Sequence, residues 1–101
     1  MAVCLLMQFA GVEARTYDSV MNELGLRSDK PEWPNGIISH VAGFSNNAMY
    51  VVDVWESQQA FDSFLESRLR PAFETVGGLP QPDVITFDVH NTYNVGGDHS
   101  P

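Results

Sequence analysis

The chain has 101 residues, enough for one small domain with a single core, and its 44% hydrophobic content is ordinary for a globular protein. It has 13 acidic residues against 5 basic ones, a net charge of −8, so we expect neither a nucleic-acid partner nor an anionic membrane surface. A lone cysteine, Cys4, excludes an intrachain disulfide, and no basic signal region or long apolar run is present, which favours a cytoplasmic protein.

The first half of the chain predicts a strand, a helix and a loop. Residues 1–9 are apolar on both parities, which is typical of a central strand. A helix then begins between residues 12 and 16, because apolar side chains recur with helical spacing and Gly25 stands where a left-handed C-terminal cap belongs. Residues 27–36 contain two prolines and form a loop, in which Trp33 is either a lid over a pocket or a plug on the core.

The second half predicts two strands, a long helix and a last strand. Residues 36–44 and 48–56 are β-favouring and flank a turn at residues 45–47. Ser57 can cap a helix over residues 58–78, which Pro71 should kink or break one turn earlier, because proline lacks an amide donor. A fourth strand over residues 83–93 follows, and residues 94–101 are predicted to form a flexible tail.

The order β-α-β-β-α-β predicts an α+β, ferredoxin-like domain over residues 1–93. In this fold a four-stranded antiparallel sheet carries both helices on one face, and the first and third strands are central. If Val52 and Val54 face the helices, Val51 and Trp55 face away and leave an apolar patch on the open face. We expect such a patch to be buried in a homodimer, with two sheets packed back to back.

The element order and the run HVAGFSNNAMYVVDVWESQQAFDSFLESRLRPAF resemble the dimeric α+β barrel superfamily, and within it the small antibiotic-biosynthesis monooxygenase-like (ABM-like) proteins. The most recognisable piece is VVDVWESQQAFDSFL. The resemblance implies a cleft between sheet and helices and a cofactor-independent monooxygenase acting on an aromatic or phenolic molecule. No residues map onto the Asn-Trp-His set of the haem-degrading members, so we expect no cofactor.

His40 is the candidate catalytic residue. A three-residue loop would pair Phe44 with Ala48 and His40 with Val52, which places His40 and Tyr50 between sheet and helices; a two- or four-residue loop would reverse this. An imidazole there could act as a general base, since its ordinary pKa is about 6.5. Alternatively it is a core histidine that a hydroxyl, such as that of Tyr17 or Tyr50, satisfies.

Further residues are candidates for contact with a hydrophobic or aromatic ligand. Arg68 could anchor a phenolate or lay its stem along the core. Asp53, on the opposite parity from Val52, is expected at the dimer interface. The predicted substrate-binding residues are Tyr17, Met21, Trp33, Tyr50, Phe64 and Arg68.

Other kinds of site and other functions follow from the same residues. His40, His90 and His99 lack metal-ligand spacing, so no metal site is predicted. A non-redox isomerase or cyclase, a non-catalytic ligand-binding protein and a structural dimer remain alternatives, because the fold alone does not choose among them.

Overall fold

A four-stranded antiparallel sheet of order β2-β3-β1-β4 is the framework of the protein, whose computed structural model describes residues 1–93. The predicted ferredoxin-like order is confirmed, and the two most apolar strands, β1 and β3, are central as expected. The predicted tail, residues 94–101, lies outside the described residues. The strands are β1 (Val3–Ala10), β2 (Ile37–Ser45), β3 (Ala48–Trp55) and β4 (Asp83–Asp88), and the helices are α1 (Ala14–Glu23), α2 (Gln58–Phe64) and α3 (Arg70–Val76).

Helix ends follow the capping signals of the sequence. Gly25 has φ +75° and ends α1 in a Schellman motif, in which its amide donates to Asn22 (3.1 Å) and the Leu26 amide to Met21 (2.9 Å). At the start of α2, the Ser57 hydroxyl accepts a hydrogen bond from the Ala60 amide at 3.1 Å. Within residues 1–93, none of the helices has the length and apolar character that crossing a bilayer requires.

Pro71 perturbs the long helix one turn before its own position, as predicted. A π-helical turn, Leu65–Leu69, separates α2 from α3. Proline has no amide to donate to the carbonyl four residues earlier, and its ring crowds that carbonyl, so the preceding turn widens. Helices α2 and α3, with the π-helical turn between them, therefore cross the same face of the sheet as one bent helical segment, here called the α2–α3 segment.

The core lies between the sheet and the helices. Trp55 is fully buried there, with its ring centroid 5.6 Å from that of Phe61 and 5.4 Å from that of Phe64. Alternate residues of β1 and β3 complete this layer, and a second cluster joins α1 to α3. The burial of Trp55 holds the end of β3 against α2, which decides which face of the strand points inward.

The hairpin register differs by one residue from the prediction. Only Asn46 and Asn47 form the turn, with φ +52° and +61°, so Ser45 pairs with Ala48 and His40 pairs with Asp53. The expected three-residue loop is wrong, because two successive asparagines tolerate the left-handed conformation that a tight hairpin turn needs.

This register reverses the two faces predicted for β3. Val51 and Trp55 lie beneath the helices, and Val52 and Val54 point to the open face, so the expected orientation of all four is wrong. His40 nevertheless lies on the helix side, because it pairs with Asp53 instead of Val52. Two errors, in loop length and in the inward face of β3, cancel at this residue.

A β-bulge at the start of β2 brings two more residues to the inner face. Ile37 pairs with Trp55 and Ser39 with Val54, which leaves Ile38 as the extra residue of the strand. Ile37 and His40 are three positions apart, yet both therefore face the helices. Ile38 is 45% exposed beside them.

The open face of the sheet carries an apolar row across all four strands. Val41 pairs with Val52, Val52 with Leu6, and Leu6 with Ile85, so the four side chains stand side by side. Val41 and Ile85 are each 61% exposed at the two ends of the row.

Candidate functional site

A chain of hydrogen bonds links three elements at the helix-facing side of the sheet. The His40 Nδ1 atom lies 2.6 Å from Asp53 Oδ1, and the His40 Nε2 atom lies 2.7 Å from the Tyr17 hydroxyl oxygen. The other carboxylate oxygen of Asp53 accepts a bond from Trp55 Nε1 at 3.3 Å. Helix α1 thus supplies the phenol, β2 the imidazole, and β3 the carboxylate and the indole.

Asp53 does not lie at the open face, where we expected it. Its residue is only 5% exposed and it points beneath the helices. A buried carboxylate requires donors, and the His40 and Trp55 side chains supply one to each oxygen. The register places His40 directly opposite Asp53, so the sheet itself creates the pair.

The direction of the hydrogen bonds follows from what each group can donate. A carboxylate accepts, so Nδ1 of His40 carries the hydrogen in its bond to Asp53. In the neutral imidazole, Nε2 is then the acceptor for the Tyr17 hydroxyl. Burial, with the nearby Asp53 and Asp18 carboxylates, raises the pKa of the Tyr17 phenol, which keeps this hydroxyl protonated. The polarity therefore runs from Tyr17 through His40 to Asp53.

The chain of hydrogen bonds borders an apolar cavity, here called the inner chamber. It has a volume of about 70 Å³ and lies between the sheet, α1 and the α2–α3 segment. Among residues 1–93, no lysine or arginine lines it, and Asp53 is the one charged residue of its wall. Such a space suits an uncharged, apolar part of a ligand, with the Tyr17 hydroxyl as the polar group at its edge. Its apolar wall includes Met7, Phe9, Met21, Val51, Trp55 and Phe64.

Four of the six predicted ligand-binding residues lie around the inner chamber together with His40. Tyr17 and Met21 come from α1, Phe64 from α2 and Trp33 from the loop before β2. The Trp33 side is open to solvent, since that residue is 43% exposed, while its ring centroid lies 5.5 Å from that of His40.

Tyr50 and Arg68 lie elsewhere. Tyr50 pairs with Gln8 and Gly43, so its ring is on the open face of the sheet, and the expectation that it shares a face with His40 is wrong. The Arg68 Nη2 atom donates to the Leu24 carbonyl oxygen at 2.7 Å, and its guanidinium lies 5.7 Å from the ring centroid of Phe64. Arg68 thus ties the end of α1 to the π-helical turn, which favours the structural alternative for this residue.

Sequence reasoning missed Asp53 and Trp55 as parts of the site. A signal for Asp53 was available, because one acid within the apolar run VVDVW must find a partner if the strand is covered. Across residues 1–93 no group of three potential metal-ligating side chains comes together.

Comparison with solved structures identifies the fold. No model of a known family and no curated protein matches the sequence. The structure resembles SnoaB, a cofactor-independent oxygenase from Streptomyces nogalater, with TM-score 0.65 and 18% identity over 90% of this chain and 95% of that one. It resembles Rv0793 from Mycobacterium tuberculosis with TM-score 0.67 and 14% identity, over 93% of this chain and all of that one.

A third similar structure contains a ligand. It is the monooxygenase from the gene ActVA-Orf6 of Streptomyces coelicolor in complex with nanaomycin D, with TM-score 0.58 and 18% identity over 94% of this chain and 93% of that one. The protein thus has the ABM-like fold, as its sequence indicated.

Proposed function

We propose that the protein is a cofactor-independent monooxygenase that oxidises an aromatic or phenolic small molecule whose reacting part lies at the inner chamber. The observation that carries this proposal is the chain Tyr17–His40–Asp53, a polar relay at the edge of an apolar cavity. The likeness to SnoaB and to the ActVA-Orf6 monooxygenase supports the reaction class.

In the proposed reaction the relay removes a proton from the substrate. The imidazole Nε2 of His40 is occupied by the Tyr17 hydroxyl, so Tyr17 is the group that touches the substrate. Its oxygen takes the substrate proton as its own proton passes to Nε2, and Asp53 stabilises the resulting imidazolium. The raised pKa of Tyr17 opposes a standing phenolate, so both proton movements belong to one step.

The carbanion formed at an activated CH₂ group then reacts with dioxygen. It passes one electron to O₂, and recombination gives a peroxide anion on the same carbon. The imidazolium returns its proton through Tyr17 to the peroxide, and loss of water leaves a carbonyl. One oxygen atom enters the substrate and the other leaves as water, with two hydrogens of the CH₂ group. The apolar wall favours the step because it excludes competing water.

We also propose that the protein is a cytoplasmic homodimer. The apolar row Val41, Val52, Leu6 and Ile85 would be covered by the same row of a second copy, which supports the dimer. A single buried cysteine, Cys4, needs no oxidising compartment, which supports the location.

Oxygen uptake with a tricyclic anthrone as probe substrate tests the proposed reaction. We expect Tyr17→Phe and His40→Gln each to lower kcat at least about 100-fold, because each breaks the relay. Tyr50→Phe and His90→Gln are matched controls from outside the chamber and should stay within about twofold. Circular dichroism confirms that each variant is folded.

Two results would contradict the proposed oxidation. Consumption of substrate without oxygen uptake would favour the isomerase or cyclase, since the relay by itself needs no oxidant. Binding of the probe without any turnover, in the wild type as in both relay variants, would favour a ligand-binding protein with a core histidine.

A further inference from the structure

A second space lies on the outer side of Trp33. This space, here called the outer groove, has a volume of about 340 Å³ and is lined by Trp33, Ile37, Ile38, Ser39 and His40. Three of these residues, Trp33, Ile37 and His40, also line the inner chamber. The Trp33 indole therefore stands between two spaces that share the same imidazole.

The β-bulge explains why the two spaces meet at this point. Ile38 is the unpaired residue of β2, so it projects beside the inward-facing Ile37 and His40 instead of continuing the alternation. Ile37 therefore lines both spaces, and Ile38 extends the apolar surface of the strand into the outer groove. Within the part of the chain that the structure describes, no charged side chain lines the outer groove.

The Trp33 wall contacts the ring of His40. Its ring is tilted by 44° to the His40 ring at 5.5 Å between centroids, and the residue is 43% exposed. Within residues 1–93, no side-chain hydrogen bond involves its indole nitrogen. Rotation of this side chain towards solvent therefore breaks no polar interaction, in contrast to movement of Tyr17 or His40.

The sizes of the two spaces indicate that neither is a complete ligand site. The inner chamber, at about 70 Å³, is smaller than the cavity of roughly 150 Å³ that accepts benzene in an engineered protein. Typical small-molecule sites occupy about 300–1,000 Å³. The outer groove reaches the lower part of this range but is open to solvent on one side. Joined, the two spaces have the volume of a small-molecule site and a buried end beside Tyr17 and His40.

We propose that the inner chamber and the outer groove are two halves of one binding site, and that Trp33 is the movable wall which selects for ligand length. This rests on the proposed function. The ligand is an uncharged, elongated fused-ring phenol. Its reacting ring enters beside Tyr17, and its far ring lies in the groove over Ile38 once the indole has rotated outward.

Binding of a short and a long probe under anaerobic conditions tests this assignment. Phenol and 2-anthrol are titrated by calorimetry into the wild type, Trp33→Ala and the milder Trp33→Phe. Phe44→Ala is the matched control, since Phe44 is similarly exposed (48%) on β2 and lines neither space. If the Trp33 conformation that separates the two spaces is about ten times as populated as the outward-rotated one, Trp33→Ala lowers the Kd of 2-anthrol about tenfold.

The remaining expectations separate a movable wall from a fixed one. The Kd of phenol should fall less than that of 2-anthrol in Trp33→Ala, because a single ring extends only a short way past the indole, and Phe44→Ala should match the wild type. The chain has two tryptophans, so 5-fluorotryptophan labelling gives two ¹⁹F signals, of which Trp33→Phe identifies one. Saturation of the wild type with 2-anthrol should move the Trp33 signal towards its solvent-exposed position.

Three results would overturn the proposal. They are an equal decrease in Kd for both probes in Trp33→Ala, weaker binding of 2-anthrol by Trp33→Ala, and a Trp33 ¹⁹F signal that does not move when the wild type is saturated with 2-anthrol. Because no oxygen is present, these results do not depend on turnover. Loss of the proposed oxidation with retention of the length effect would overturn the proposed function alone.

Discussion

Asp53→Asn is expected to reverse the direction of the relay while the fold persists. The carboxylate accepts from His40 Nδ1 at 2.6 Å and from Trp55 Nε1 at 3.3 Å. An asparagine has one accepting oxygen and one donating amide. The indole can only donate, so the new oxygen must face Trp55, and the amide must then face His40. His40 can comply by moving its hydrogen to Nε2, which donates to the Tyr17 oxygen.

The magnitude follows from counting the bonds before and after the substitution. All three hydrogen bonds survive, but those to Asp53 lose their charge assistance, so we expect a loss of about 1–2 kcal/mol in the free energy of unfolding. Asp53→Ala, which leaves two buried donors without an acceptor, should cost about 3 kcal/mol or more. Turnover should nevertheless fall by roughly 10³–10⁴ in Asp53→Asn, because Nε2 no longer accepts a proton.

Nitrogen-15 NMR of the histidine rings measures the predicted change directly, since a protonated and an unprotonated ring nitrogen resonate far apart. His40→Gln identifies the His40 signals, and urea unfolding gives the stabilities. The reasoning is refuted if Nε2 of His40 stays unprotonated in Asp53→Asn, or if Asp53→Asn is as unstable as Asp53→Ala. Turnover within tenfold of the wild type would refute the role of Asp53 in the relay.

Three further predictions concern pH, assembly and backbone. The folded pKa of Tyr17 is raised, so the stabilising contribution of Tyr17 is complete below about pH 10 and is lost as the pH rises through the folded pKa. In Tyr17→Phe the free energy of unfolding, measured by urea titration, should therefore fall less steeply above pH 10. An unchanged slope would contradict this. Ile85→Lys on the open face should yield monomers in analytical ultracentrifugation. Val84→Lys, at an exposed position on the helix side of the same strand, should leave the dimer intact. Dimers in both variants would place the interface elsewhere. Gly36→Ala should lower the free energy of unfolding by about 2–4 kcal/mol, because φ is +93° and the new methyl group would lie 2.7 Å from Ala60 Cβ. A smaller loss in thermal unfolding would show that α2 shifts to accommodate the methyl group.

The inner chamber was only partly predictable. The imidazole of His40, the helical stripe with Tyr17 and Met21, and the loop tryptophan were all visible as residue types in suitable places. Their mutual contacts were not, because a hydrogen bond between residues 23 positions apart depends on how α1 lies across the sheet. Arg68 illustrates the limit: its position near the apolar stripe suited a ligand anchor, but the end of α1 supplies its acceptor.

The amino-acid sequence by itself determined the order of the elements, the two central strands and the ends of the helices. Those features depend on local chemistry: apolar runs, the Ser57 cap, Gly25 in a left-handed conformation and the missing amide of Pro71. Tertiary structure alone decided which face of β3 is buried, and hence that Asp53 meets His40. Both faces of that strand are apolar, so its pattern could not distinguish them. The tight Asn46-Asn47 turn and the packing of Trp55 beneath α2 made the choice.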